Sequence, residues 1–316
     1  MVTEKKYIKP TTAEEAVKIA HACKDDFSFI AGGTDVMVNK FQGTNSSSCL
    51  IDIADIEDMK QISSDGKYLK IGAAVTLDDL KKNPEIKKNF PVLLEAAHAI
   101  ASPVIRKTAT IGGNLLCENR CSFFNQSEWW REAVGYCLKC EGDVCIATGG
   151  KKNCFSKFVS DLAVALISMD ANIEVVNPGG TEIMRLEDIY TGDGIEPRKL
   201  NKTSLIKDIH IPIREEFRSV FKKLRQRESM DFGSLTTAVS INKLGKIKIV
   251  LGCIDPRPII VEGNTNDSNE ELIKKAVKKS RIVDNDVFSR EYRKEMITVF
   301  LNQSFKELGT IFPIVN

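Results

Sequence analysis

The sequence predicts an α+β protein in two unequal parts, and three observations predict it. Through residues 1–212, short apolar strands alternate with helices that carry their own start signals. Beyond Pro212, three antiparallel strands run together and two helices follow them. Within the first part, six of the nine cysteines crowd into residues 117–154, among glycines and the pair Trp129-Trp130, where no regular element would gather them.

The elements follow in order. Thr12 with Glu15 three residues on has the capping-box pattern, and Ala16, Ile19, Ala20 and Cys23 give the helix behind it one apolar face. Phe27 to Ala31 is a short strand running straight into Gly32-Gly33, and Cys49 to Ile53 is a second. Tyr68 to Val75 reads as a strand, Thr76 to Asp79 as a helix start and Pro91 to Ile100 as a short helix. After the cysteines come a helix from Asp161 to Leu166, a strand from Asn172 to Val176, and the turn Asn177-Pro-Gly-Gly180. The alternating strand Ile206 to Ile213 ends the first part. Ser219 to Arg225, Leu235 to Asn242 and Lys246 to Ile254 then read as antiparallel strands, and Asn269 to Lys279 and Arg290 to Leu308 as helices.

Composition excludes several classes. Lys plus Arg (45) nearly balances Asp plus Glu (43), so no strong field draws the chain to nucleic acid or an anionic membrane. The longest apolar run, Leu162 to Met169, is too short to span a bilayer. The N-terminus has no apolar signal core, and nine cysteines suit reduced thiols better than disulfides; both point to the cytoplasm. His21, His98 and His210 pair with no nucleophile or carboxylate motif and read as surface or core residues. Cys23, Cys49 and Cys253 read as small buried hydrophobes, Lys274 to Arg281 as a solvated helix face, and Asp255-Pro-Arg-Pro258 as a turn.

Two paired-glycine motifs carry chemistry. Glycines after a strand let backbone N–H groups approach a phosphate without interference from Cβ. Ala31-Gly-Gly-Thr-Asp35 fits that need, with the Thr34 hydroxyl as a further donor, and Thr110-Ile-Gly-Gly-Asn114 fits it again. Neither is a G-x-G-x-x-G fingerprint or a Walker loop, and each alone reads more readily as a tight turn. Two on one chain suit a ligand with a pyrophosphate and a long polar tail.

Taken in series, Phe29-Ile-Ala-Gly-Gly-Thr-Asp35, Ile71-Gly-Ala-Ala74, Thr110-Ile-Gly-Gly-Asn114 and Ser160-Asp-Leu-Ala163 resemble the FAD-binding subunits of the molybdenum hydroxylase family, which includes xanthine and carbon monoxide dehydrogenases. The resemblance covers nearly the whole chain. It implies an FAD-binding fold of the vanillyl-alcohol-oxidase type in two subdomains, residues 1–60 and 61–212, and a C-terminal α+β domain, residues 213–316. It further implies that Ile30, Ala31, Gly32, Gly33, Thr34 and Asp35 together with Thr110, Gly112, Gly113 and Asn114 wrap the FAD pyrophosphate, and that Asp161 holds ribityl or ribose hydroxyls. Phe221 to Phe232 resembles the segment that reaches over the flavin, with Lys223 as a cation near its pyrimidine edge. Composition alone leaves Lys223 equally on a solvated basic strand.

The segment inserted at about residues 115–158 resembles that of the flavin subunit of 4-hydroxybenzoyl-coenzyme A reductase, which holds a [4Fe–4S] cluster. That likeness implies Cys121, Cys137, Cys145 and Cys154 as ligands, with Cys117 and Cys140 spare. Spacing alone leaves a tetrathiolate zinc knuckle, armed by Cys117-x3-Cys121 and Cys137-x2-Cys140, equally open. The resemblance implies an electron-transfer subunit with no catalytic residue of its own. Its partners would be a molybdopterin-binding large subunit, a [2Fe–2S] small subunit, and a ferredoxin- or flavodoxin-like carrier or NAD. The complex would act on an aromatic acyl-CoA or, alternatively, on a purine or other N-heterocycle. A free-standing flavoenzyme and a zinc-stabilised scaffold are the rival classes.

Overall fold

The computed structural model describes residues 5–24 and 26–311. The first four residues of the N-terminal segment read for a signal core lie outside the described residues, as do Asp25 and residues 312–316. β1 (Lys6–Ile8), α1 (Ala13–Ala22), β2 (Phe27–Ile30), α2 (Val36–Phe41) and β3 (Cys49–Asp52) make a small unit whose strands lie parallel in the order β1-β3-β2. Half of the expected capping box forms at α1. Thr12 Oγ1 accepts from the Glu15 amide at 3.1 Å, but the Glu15 carboxylate reaches back to the Thr11 amide, at 2.7 Å.

The second unit begins with β4 (Ile62–Ser64) and β5 (Tyr68–Gly72), then the short helices α3 (Leu77–Lys82), α4 (Pro84–Asn89), α5 (Pro91–Ala99), α6 (Pro103–Arg106), α7 (Ile111–Leu115) and α8 (Glu128–Val134). Next come α9 (Asp161–Ser168), β6 (Asn172–Asn177), β7 (Gly180–Arg185) and β8 (Leu205–Pro212). Its five strands are antiparallel, in the order β4-β5-β8-β6-β7. The strand expected over Tyr68 to Val75 stops at Gly72, because the chain turns there to bring Ala73 N to Lys207 O and Ala74 N to Met59 O.

The third unit is a four-stranded antiparallel sheet of β9 (Arg218–Leu224), β10 (Leu235–Ile241), β11 (Lys246–Gly252) and β12 (Ile259–Asn264), in the order β12-β11-β10-β9. It is backed by α10 (Asn269–Lys279) and α11 (Arg290–Ile311). On α10, Leu272, Ile273 and Ala276 are buried while Lys274, Lys275, Lys278 and Lys279 face solvent, so the charge run is a solvated face.

Two hydrophobic cores result. The larger runs from Ala13 to Ile211 and takes in Ala238 and Val250 of the third unit; the smaller joins Val220 to Leu308. α9 is buried along all eight residues, and a helix apolar all round belongs in an interior. It packs on β10 and β11 on one side and on α5 and α7 on the other, which fixes its N-terminal residue, Asp161, where the units meet.

Lys248 on β11 bridges the same junction. Its Nζ lies 2.8 Å from Asp170 and 2.5 Å from Glu187, with its side chain 4% exposed. Lys248→Ala will remove the buried cation that Asp170 and Glu187 share, leaving them Lys246 and Arg185 as partners, and lower stability by about 2 kcal/mol. Urea denaturation will show a lower midpoint at unchanged slope.

Candidate functional site

The first glycine motif is an open loop between β2 and α2. Gly33 has φ of +68°, and Gly32 touches backbone: a Cβ there would sit 1.8 Å from Thr108 O. That contact sets the first motif against the approach to the second, Thr110 to Asn114. Among the described residues, the amide N–H groups of Gly32, Gly33 and Thr34 donate to nothing. Three neighbouring unspent donors make a cradle for an anion.

The second motif differs from expectation. Residues 111–115 form the one-turn helix α7, not an open loop. Thr110 Oγ1 caps it by accepting from Gly113 N at 3.2 Å, and Gly112 N donates to Ala73 O at 2.8 Å. Both amides are spent inside the protein. What α7 presents instead is Asn114, whose Oδ1 accepts from Ser160 Oγ (2.8 Å) and Leu162 N (3.3 Å), tying α7 to the start of α9.

Asp35 is also occupied. Its carboxylate takes the Arg120 guanidinium, the Glu118 amide (3.1 Å) and Asn39 Nδ2 (3.3 Å). The residue therefore anchors the cysteine segment to the glycine loop. Arg120 stacks in turn on Phe232, 4.8 Å from its ring centre, so the segment after β9 covers this junction.

Asp161 and Lys223, apart in sequence, meet. Lys223 Nζ lies 2.6 Å from Asp161 Oδ2 and 2.9 Å from Ala99 O, and both side chains are almost wholly buried. The reading of Lys223 as a solvated strand residue is thereby corrected. Asp161 Oδ1 is buried with no partner. Burial raises the Asp161 carboxyl above its ordinary value, with Lys223 opposing. A buried acceptor left open and a cradle of unspent amides are what a polyhydroxylated, phosphorylated ligand would satisfy. The Ala99–Ala101 turn beside Lys223 holds Ala101 at φ +48°, clamped by buried Arg106, which donates to Ile100 O and Ala101 O at 2.6 and 2.8 Å. Sequence reading missed Arg106, Arg120 and Ala99, and for a carbonyl no sequence signal exists.

Residues 116–157 are mostly irregular, as their composition predicts, with α8 and a 3-10 turn at Leu138–Cys140 as the regular pieces. Cys121, Cys137, Cys145 and Cys154 line one small cavity with Phe123, Phe124, Lys139 and Ser156. Cys117 and Cys140 do not line it. The Phe123 and Phe124 amides point at the Cys121 sulfur, and Ser156 N lies 3.5 Å from that of Cys154. Burial raises the Cys121 and Cys154 thiols, and these donors oppose it. Cys117 sits elsewhere, its thiol pushed up to about 12 by burial.

No three of the thiols among the described residues have their sulfurs all within 4.8 Å of one another. Among the described residues, the single set of three or more ligand-type side chains with donor atoms all within 4.8 Å of one another is Glu174, Asp208 and His210. A tetrahedral zinc site with bonds of ~2.3 Å holds its thiolates about 3.8 Å apart. The segment is clamped to the third unit: Lys157 pairs with Asp286, Asn285 Nδ2 donates to Phe155 O at 2.7 Å, and Asn119 Nδ2 to Pro256 O at 2.9 Å. Of the cysteines read as buried hydrophobes, Cys49 and Cys253 are buried and Cys23 is half-buried, its sulfur 3.7 Å from that of Cys49. No helix among the described residues is long and apolar enough to cross a membrane.

Comparison with known proteins adds four findings. The family described as the FAD binding domain in molybdopterin dehydrogenase matches residues 3–214. The FAD-binding subunit of an aldehyde oxidoreductase from Escherichia coli (strain K12) is 30% identical over 243 residues, 74% of this chain and 76% of that one. The medium chain of a glyceraldehyde dehydrogenase from Sulfolobus acidocaldarius is 21% identical over 316 residues, 96% and 98% of the two chains. Among solved structures, a chain of carbon monoxide dehydrogenase from Hydrogenophaga pseudoflava superposes with a TM-score of 0.75 at 19% identity, covering 97% of each chain.

Proposed function

The chain belongs to the family of FAD-binding domains of molybdopterin dehydrogenases, and from that membership we propose the use it makes of its cysteine cavity and its buried ion pair. It is an oxidoreductase subunit that binds FAD. In our reading it passes electrons between an external one-electron carrier of the ferredoxin or flavodoxin class and partner subunits holding [2Fe–2S] and molybdopterin centres. Cys121, Cys137, Cys145 and Cys154 hold a [4Fe–4S] cluster between them. The compartment is the cytoplasm, and the reaction this reading carries over is reductive dehydroxylation of an aromatic acyl-CoA at a site on another chain.

The observation that carries the cluster is the cavity itself. It collects those four thiols, leaves out the two spare ones, and brings no three of the four sulfurs within 4.8 Å of one another. Phe123 and Phe124 cover one wall, and amides aimed at sulfur favour the thiolate form. A cluster held there would exchange single electrons with other centres.

For the flavin, the fit rests on the unspent amides of Gly32, Gly33 and Thr34 and the open Asp161 Oδ1. The amides would take the pyrophosphate and Asp161 a ligand hydroxyl, while Lys223 keeps a positive charge beside them. Bound FAD supplies two-electron and one-electron exchange in one site. Asn114 and Asp35 serve as braces, each already spent on protein donors.

Anaerobically purified protein tests the reading: flavin bands over broad iron–sulfur absorption, with about four irons per flavin, support it. Zinc without iron would overturn the cluster. Gly32→Ala will weaken FAD retention at least about tenfold, because the new Cβ displaces backbone at Thr108. Gly179→Ala, where no atom lies within 4 Å, will retain flavin like the parent.

A further inference from the structure

Glu174, Asp208 and His210 lie on one face of the five-stranded sheet, apart from the flavin and cysteine residues. Glu174 stands opposite Asp208 across the β6–β8 pair, and His210 is two residues further along β8. Their neighbours Ile173 and Ile209 point the other way, into the core. A bulge between Glu174 and Val175 makes Lys207 the extra residue of β8, the kind of irregularity that re-aims a side chain.

The His210 side chain is 4% exposed and covered by the Tyr68 ring, 6.0 Å away between centres. Its Nε2 has no hydrogen-bond partner, yet it is buried and points at the carboxylates, 3.5 Å from Glu174 Oε2. Each of the three offers a donor atom within 4.8 Å of the other two. The one lysine facing them from β5, Lys70, is drawn off by Asp65 at 3.3 Å. Glu174 stays partly open to solvent, which leaves an entry path.

We propose that Glu174, Asp208 and His210 bind a divalent first-row metal ion, with water in the remaining positions, pinning β6 to β8. Two carboxylates and one imidazole are hard-to-borderline ligands, suited to Mn2+ or Zn2+ and distinct from the soft thiolate cavity.

Mn2+ is the probe, because the thiols compete poorly for it. FAD-loaded, cluster-loaded chain titrated with Mn2+ and followed by EPR will take up a single ion per chain. The bound ion will show 14N coupling from the imidazole, and the melting temperature will rise with added Mn2+. His210→Gln and Asp208→Asn, with flavin absorbance retained, will lose the melting shift and weaken binding roughly 100-fold, since even outer-shell changes cost up to that much. His210→Gln will also abolish the nitrogen coupling. No uptake by the parent at about 1 mM Mn2+ overturns the proposal, as do parent spectra without nitrogen coupling and equal uptake in both variants.

Discussion

Cys145→Ala will purify with flavin but without the iron of the parent, and limited proteolysis will open it within residues 121–154. The effect is large because the clamps at Asn119, Arg120, Phe155 and Lys157 sit at the two ends of the segment, and the stretch between them has little apolar core. Between residues 116 and 157, Phe124 is the one buried apolar side chain that is not a cysteine; the others are Cys137, Cys145 and Cys154. A chain that buries so little apolar surface cannot offset its own ordering entropy. Ligand bonds must supply the difference, so binding free energy becomes folding free energy; structural zinc sites give the scale, ≈10–16 kcal/mol. The discriminating control is the pair of spare thiols. Cys117→Ala and Cys140→Ala remove cysteines that do not line the cavity and will keep iron at the parent level. Iron retained in Cys145→Ala, or lost in Cys140→Ala, would show that the ligand set is wrong.

How far the sequence was legible differs from residue to residue. α1, α5, α9, α10 and β9 to β11 were readable as apolar faces or apolar runs bounded by capping or turn residues, whereas β12, the fourth strand of that sheet, was not read. The loop-rich nature of residues 116–157 was readable from composition. α2 was not: Val36-Met-Val-Asn-Lys-Phe41 buries no residue, so it has no amphipathic face for periodicity to find. Nor was α7, since Ile-Gly-Gly-Asn has poor helix propensity and turns only because Thr110 and Ala73 accept its amides. The glycine motifs were visible, but which amides remain free is a tertiary fact. The Thr110 motif spends its own and the Ala31 motif does not. His210 was read as a core or surface residue because its partners reach it only through strand pairing across a bulge. The same limit hid Arg120 on Asp35 and Ala99 beside Lys223.

Lys223→Met will lower stability by an amount that grows with pH, and will weaken flavin retention with it. The lysine neutralises a carboxylate that is nearly inaccessible to water, and removing one member of a buried pair typically costs about 3–5 kcal/mol. The sign follows from Asp161. Burial already holds its folded pKa above the unfolded 3.8; Lys223 is the main opposing influence and Arg225 a weaker one. Without Lys223 the folded pKa climbs further, so the native state binds a proton more tightly than the unfolded chain across a wider window. Stability from such a group is present in acid and is lost as pH rises from 3.8 through the folded value. The variant will therefore melt closest to the parent in acid and fall furthest below it at neutral pH and above. Adding Asp161→Asn will recover part of the loss and flatten the pH dependence, because the stranded charge is gone. Flavin retention will not recover in that double variant, since the acceptor for the ligand hydroxyl is gone as well. A melting deficit in Lys223→Met that is constant across pH would mean the lysine contributes only packing, and Asp161 would then have to be neutral in the parent.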